Sequence, residues 1–355
     1  MADARKIRVL IVEDSALMRQ LLTAIFQDDP AFEIVGTASD PFIARQKIKD
    51  LKPDVLTLDV EMPRMDGITF LEKLMRLHPM PVVMISSLTQ RNTDATLRAL
   101  ELGAVDFVSK PAENMRDHLG ELADEIRAKV RMAAAARVRA VITEPLTPGL
   151  VIPSKSKSTP ARSRHPADAR IIAIGASAGG TQAIMAILRQ LPANMPGIAI
   201  VQHMPPKFTA LFAEHLNRSC ALDVREATDG EKLCPGMARV APGGRQMALV
   251  RDTDGYALRV YDGPPVNLHR PSVDVLFHSV AQLAAAQAMG ALLTGRGSDG
   301  AQGLKAMHVA GALTVAQDEA SSVIFGMPDQ AIRLGAAREV LALERIAARI
   351  KQWSA

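Results

Sequence analysis

Cysteine is scarce in this chain: two residues, Cys220 and Cys234, among 355. Two thiols build no disulfide framework in a protein of this length, and the expected setting is a reducing, cytoplasmic one. Aromatic residues are nearly as sparse, 3% with a single Trp. That leaves aliphatic residues, with Met, Ala and Leu plentiful, to build the cores. There is no large excess of charge of one sign either. A formal net charge of +4 is small for the length and gives no reason to expect a nucleic-acid partner. No uninterrupted apolar run is long enough to cross a bilayer; the stretch from Ala281 to Leu293 comes nearest and is broken by Gln282 and Gln287. No membrane insertion is expected. The first residues pass through Arg5 and Lys6 straight into a strand pattern, without the apolar segment of a leader.

What is present is a long alternation of short apolar runs and amphipathic stretches. A chain of 355 residues exceeds one ordinary core and suggests two domains. Strands are predicted over Ile7–Val12, Glu33–Ala38, Val55–Asp59, Val82–Ser86 and Val105–Val108, with helices over Ala16–Gln27, Pro41–Leu51, Thr69–Leu77, Thr93–Leu102 and His118–Met132. This βα repetition predicts a doubly wound, five-stranded parallel sheet of the flavodoxin-like type over residues 1–132, with its site at the carboxyl ends of the strands. Residues 133–168 follow as a flexible basic linker, carrying Pro145, Pro148, Pro153, Pro160 and Pro166 among Lys, Arg, Ser and Thr. Residues 169–355 return to the α/β alternation. Strands are expected at Ile171–Gly175 and Gly197–Gln202, short strands at Ala238–Ala241, Met247–Arg251 and Ala257–Tyr261, a helix over Val273–Ala288 and a strand at Ala291–Thr294. The expected architecture is a second doubly wound α/β domain with a β-hairpin insertion.

In the first domain Glu13 and Asp14 directly follow the first strand and Asp59 ends the third. Three carboxylates at one sheet edge repel one another unless a hard cation holds them, and oxygen-only ligation suits Mg²⁺. Asp59 is then poised to attack a phosphoryl group. Ser86 ends the fourth strand with a hydroxyl for a phosphoryl oxygen, and Lys110 closes the fifth with a point charge. Each residue alone has an ordinary reading as a cap or a surface charge; the set, placed at strand ends, outweighs those readings. With Val12-Glu13-Asp14-Ser15, Leu58-Asp59-Val60-Glu61-Met62-Pro63, Met65-Asp66-Gly67 and Phe107-Val108-Ser109-Lys110-Pro111, the segment closely resembles response-regulator receiver domains. The resemblance implies that Asp59 accepts phosphate from a histidine kinase and that Glu13 and Asp14 hold Mg²⁺. It also implies that Ser86 and Phe107 relay the change and that Lys110 contacts the phosphoryl group.

The second domain opens with Gly175-Ala176-Ser177-Ala178-Gly179-Gly180 between a strand and a helix. The pattern fits the nucleophile elbow G-x-S-x-G. A dinucleotide loop would need glycine where Ser177 stands and an acidic residue about twenty positions on, and neither is there. A nucleophilic serine requires a base and an orienting acid. His203, ending the next strand, is the best-placed base, and His269 in Asn267-Leu268-His269-Arg270-Pro271 is a second candidate. Asp299, in Thr294-Gly295-Arg296-Gly297-Ser298-Asp299, is the candidate acid, although alone it would read as an N-cap. Backbone N–H groups of this Gly-rich loop, around Arg296 and Gly297, are candidate oxyanion donors.

With Val201-Gln202-His203-Met204-Pro205, Ala241-Pro242-Gly243-Gly244, His269-Arg270-Pro271-Ser272-Val273-Asp274 and Phe325-Gly326-Met327-Pro328, residues 169–352 resemble the catalytic domain of chemotaxis-type protein-glutamate methylesterases, the CheB family. The resemblance implies Ser177 as nucleophile, His203 as general base and acid, and Asp299 as its orienter. It implies hydrolysis of glutamate γ-methyl esters on chemoreceptor helices, with glutamine deamidation by the same route and no cofactor in this domain. Phosphorylation of the receiver would then regulate the esterase. Two positions depart from the family pattern: Ala178 stands where threonine is usual, and Arg296 where methionine is usual. Arg296 either favours an acidic receptor surface or points to solvent. Two rival readings are a transcriptional regulator and a catalytically weakened binding paralogue.

Overall fold

The computed structural model describes residues 5–87, 90–110, 119–138, 170–253 and 255–355. The chain divides into two compact units, Met1–Glu144 and Pro145–Ala355, each described by itself below. The linker expectation over 133–168 lies outside the described residues beyond position 138, and its first two positions close a helix.

In the N-terminal unit strands β1 (Ile7–Val12), β2 (Phe32–Ala38), β3 (Val55–Asp59), β4 (Val82–Ser87) and β5 (Asp106–Lys110) form one sheet in the order β2-β1-β3-β4-β5. Every pairing is parallel. A parallel sheet is covered on both faces, which is why Val9, Leu10, Ile11, Leu56, Leu58, Val82, Val83 and Met84 are all apolar and fully buried. Five helices alternate with the strands: α1 (Ala16–Gln27), α2 (Pro41–Leu51), α3 (Gly67–Leu77), α4 (Gln90–Glu101) and α5 (Leu119–Ala134). Short polar side chains start three of them. Ser15 accepts from Met18 N–H, Asp40 from Phe42 and Ile43 N–H, and Asp66 from Thr69 N–H. The order reverses at β1, with β2 on one side and β3 on the other, so the crevice opens past the carboxyl ends of β1 and β3.

The C-terminal unit carries a seven-stranded sheet built from β6 (Ile171–Ala176), β7 (Gly197–Gln202), β8 (Asp223–Glu226), β10 (Met237–Val240), β13 (Ala288–Leu292), β14 (Leu313–Gln317) and β15 (Glu339–Leu341). The order is β15-β14-β13-β6-β7-β10-β8 and all pairs are parallel. β6 is central, and the chain winds outward on one side through β7 and on the other through β13. The carboxyl ends of β7, β6 and β13 therefore lie side by side, which is where a doubly wound sheet binds ligands. Helix α6 (Gly180–Leu188) follows β6, and α8 (Val273–Leu283) and α9 (Ala301–Val309) flank β13. The hairpin insertion is β11 (Gln246–Asp252) and β12 (Gly255–Tyr261), paired antiparallel, with β9 (Glu231–Lys232) added on the far side.

The short strand expected at 238–241 is β10, which lies in the parallel sheet between β7 and β8. Strands β8, β9 and β15, each of two to four residues, carry too few positions for a period to show. The helix expected over 273–288 ends at Leu283, and after a single 3₁₀ turn at Ala285–Gln287 the strand begins at Ala288. Alanine favours helix, but the run 288–292 hydrogen-bonds to β6 on one edge and β14 on the other, and that pairing prevails.

Candidate active site and phosphoacceptor pocket

Ser177 is the first residue beyond β6, His203 the first beyond β7, and Asp299 lies in the loop after β13. The serine turn is tightly held. Ser177 N–H donates to Thr294 O at 3.0 Å, and Ser177 O accepts from Gly180 N–H and from the Gln202 side-chain amide, each at 2.8 Å. Gly179 has φ +75°, and a Cβ there would come within 2.6 Å of Val323, so the turn requires glycine. A Cβ on Gly295 would lie 2.7 Å from Ser177 Cβ. The Asp299 loop thus passes directly against Ser177. His203 N–H donates to Ala176 O at 3.1 Å, fastening the second strand end to the first.

His203 Nε2 lies 2.8 Å from Asp299 Oδ2, with side chains 8% and 1% exposed. Asp299 also accepts from the Ser272 hydroxyl at 2.7 Å, the Asn267 amide at 2.8 Å and Val273 N–H at 2.7 Å. Burial alone would raise this carboxyl. The hydrogen bond and charge of His203, then the Asn267 and Ser272 bonds, outweigh burial and bring it down to about 2. An ionised carboxylate only accepts, so Nε2 must be the donor and carry the proton. That leaves Nδ1 as the basic nitrogen, and Nδ1 is buried with no hydrogen-bond partner among the described residues.

Neighbouring groups complete this setting. Asn267 donates a second bond to Asp274 at 2.7 Å, so one amide bridges two buried carboxylates. Burial pushes Asp274 up, with the Asp299 charge adding to it; the two acids are driven apart. His269, the second base candidate, stacks on His203 with ring centroids 3.7 Å apart and planes 13° apart. Burial, and next the charge of His203, lowers it to about 4, so it is neutral at pH 7. The unfolded chain therefore binds a proton that the folded one refuses between about pH 6.5 and pH 4, and stability falls as the pH is lowered through that window. Thermal unfolding at pH 7 and pH 5 is expected to show wild type losing about 1–2 kcal/mol more than His269→Phe, which keeps the ring and cannot titrate. Arg296 and Gly297 are both exposed at the rim, Gly297 with φ +83°.

In the N-terminal unit Glu13 and Asp59 are buried and Asp14 is exposed, and each offers an oxygen within 4.8 Å of the others. Lys110 Nζ sits 2.9 Å from Asp59 Oδ1 and 3.0 Å from Glu13 Oε2. Burial first, and the charge of Asp59 second, push the Glu13 carboxyl up to about 7; burial also raises Asp59. Burial would lower Lys110, but Asp59 and then Glu13 hold it above its usual range. The single lysine does not offset the clustered acids, and an all-oxygen donor set of this kind fits a hard divalent cation. Ser86 is buried on β4, one residue past the partner of Asp59. Phe107 lies three residues before Lys110 on β5, buried, with Lys129 Nζ 5.1 Å from its ring centroid.

Sequence reasoning missed Gln202, Asn267, Ser272 and Thr294 as parts of the site. A signal existed for two of them. Gln202 ends an otherwise apolar strand and is 3% exposed, and Ser272 is fully buried; buried polar groups must find partners, here the Ser177 carbonyl and the Asp299 carboxylate.

The profile of the CheB methylesterase family matches residues 172–350, and that of the response regulator receiver domain matches residues 9–120. The chain is 55% identical over 350 residues to protein-glutamate methylesterase/protein-glutamine glutaminase 1 of Xanthomonas campestris pv. campestris, covering 98% of each chain. It is 54% identical over 341 residues to the protein-glutamate methylesterase/protein-glutamine glutaminase of Salmonella typhimurium, covering 96% of this chain and 95% of that one. The solved CheB methylesterase catalytic domain of Thermotoga maritima aligns with a TM-score of 0.51 at 34% identity, over 52% of this chain and 97% of that one. The DNA-binding alternative is set aside, because the region after the receiver matches the esterase family instead.

Proposed function

The chain belongs to the CheB methylesterase family, and on that premise we propose that Ser177, His203 and Asp299 hydrolyse protein glutamate γ-methyl esters under the control of Asp59. The observation that carries the reading is the direction of the His203 ring: Nε2 is bonded to an ionised Asp299 at 2.8 Å, and Nδ1 is buried without a hydrogen-bond partner among the described residues. Nδ1 takes the Ser177 hydroxyl proton as Oγ attacks the ester carbonyl. It returns that proton to the departing methanol, leaving an acyl-enzyme. Water then attacks, giving its proton to Nδ1, and the proton passes back to Ser177 as glutamate is released. A glutamine amide follows the same route with ammonia as the leaving group. Asp299 stays ionised throughout and stabilises the imidazolium.

Ser177 N–H and Gly295 N–H are committed to the carbonyls of Thr294 and Ile324. The oxyanion is therefore assigned to backbone N–H groups further along, at Ala178 and around Arg296 and Gly297. In the receiver domain (1–132), Glu13, Asp14 and Asp59 would hold Mg²⁺, which when bound neutralises charge on an incoming phosphoryl group. Lys110, 2.9 Å from Asp59 Oδ1, pairs with that group, and Ser86 and Phe107 respond to it. The linker is placed at 133–168 and the catalytic domain at 169–355. The partners are a histidine kinase of a chemosensory array and the methylated cytoplasmic helices of chemoreceptors. No described helix is long and apolar enough to cross a membrane; the proposed site of action is the cytoplasm, where these partners meet. An organophosphate ester reagent tests whether Ser177 is activated. The expected result is one adduct on the Ser177 peptide, absent from Ser177→Ala; an unmodified wild type would favour the weakened-paralogue reading instead.

A further inference from the structure

The loop before α8 is a two-residue turn. Val266 N–H donates to His269 O at 3.0 Å and His269 N–H to Val266 O at 2.9 Å. Its central residues, Asn267 and Leu268, have φ +51° and +69°. A turn with both centres left-handed suits asparagine and glycine; leucine is disfavoured there because its Cβ crowds the backbone. Leu268 is also 95% exposed, against 75% for Val309 and 72% for Leu77, the next most exposed of the large apolar residues described.

A single exposed leucine is ordinary. The setting of this one is not. On one side of it the Asn267 amide bonds Asp299 and Asp274, and on the other the His269 ring lies 3.7 Å from that of His203. Both neighbours are turned into the triad, and the residue between them faces out. An esterified glutamate side chain is small and polar and reaches Ser177 without an apolar partner so placed. A protein substrate brings its flanking residues to the rim.

We infer that Leu268 is a substrate-docking residue, packing against an apolar side chain on the protein segment that carries the esterified glutamate. The inference rests on the methylesterase reading and adds how that site selects a protein over a small ester. The contact would be absent for a small ester and present for the receptor, so the two substrates separate it from catalysis.

The test uses the full-length chain treated with acetyl phosphate and Mg²⁺. Methanol release is measured from methylated receptor and from a blocked single-residue glutamate γ-methyl ester. Leu268→Asn places a residue suited to the turn, and Leu268→Met keeps an apolar side chain. The expected result for Leu268→Asn is a KM for receptor raised about tenfold, the order expected for uncovering one leucine side chain, with kcat and small-ester hydrolysis unchanged. Leu268→Met should stay close to wild type. An unchanged KM for receptor would overturn the inference. So would a parallel loss on both substrates, which would mean the turn acts through His269. A rise in activity before phosphorylation would also overturn it, by making the N-terminal unit the occupant. No methanol from either substrate with wild type would overturn the methylesterase reading, and this inference with it.

Discussion

Asp299→Asn is expected to lower kcat for methanol release by about 10⁴-fold while leaving the protein folded. The size of the loss follows from the donors around the carboxylate. The Ser272 hydroxyl, the Asn267 amide and Asp274 N–H all point at its Oδ1, and an asparagine keeps its single side-chain oxygen there. Its amide nitrogen then faces His203 Nε2. Two donors cannot share that bond, so Nε2 becomes the acceptor and the ring proton moves to Nδ1, the nitrogen needed as base. The imidazolium also loses its counter-charge. The folded-state value of about 2 for Asp299, below its ordinary value of 3.8, makes it a stabilising group above pH 4. That contribution is lost as the pH falls through about 2. Asp299→Asn should therefore cost about 2 kcal/mol at neutral pH, read as a lowered unfolding midpoint in denaturant. It should also flatten the acid limb of the stability curve. A kcat within tenfold of wild type would mean that the acid only holds the loop.

Removing the divalent cation should abolish control while sparing the ester chemistry. With excess chelator, acetyl phosphate is expected to leave Asp59 unmodified, and the phosphodonor-dependent rise in methanol release should vanish. Unphosphorylated hydrolysis should continue, because the proposed serine, histidine and aspartate route calls on protein groups and on no ion. The grounds are electrostatic. Three carboxylates, Glu13, Asp14 and Asp59, gather there around the one Lys110 ammonium, so a dianionic phosphoryl group approaching that pocket meets further negative charge unless a cation is bound. Asp59→Asn should likewise lose the phosphodonor-dependent increment, with intact mass reporting whether one phosphoryl group is added. A phosphodonor response that persists in chelator, or in Asp59→Asn, would remove the pocket from the regulatory account.

The parts of this molecule legible from its sequence are those set by local period and by strand ends. The residue runs 7–12, 55–59 and 197–202 match their strands at both ends, because buried parallel strands are written as continuous apolar runs. Ser177 and His203 could be placed side by side because both follow strands of one doubly wound sheet, and the two strands are neighbours in the chain as well as in space. What stayed hidden depends on contacts between distant segments. Asn267 reaches Asp299 across 32 positions, and Gln202 reaches the Ser177 carbonyl across 25. No spacing rule encodes either bond. The ring direction of His203 was hidden for the same reason, since it is set by the donor cradle around Asp299. The sheet position of β10 depended on β8, whose four residues show no period.

Ser177 is proposed as the nucleophile of a methylesterase governed by Asp59. Methanol release from methylated chemoreceptor by wild type and Ser177→Ala, each with and without acetyl phosphate and Mg²⁺, tests both residues at once. Wild type is expected to release methanol at a rate that rises with the phosphodonor, and Ser177→Ala to release none above background in either state. Methanol released by Ser177→Ala at the wild-type rate, or a wild-type rate indifferent to the phosphodonor, would contradict that proposal.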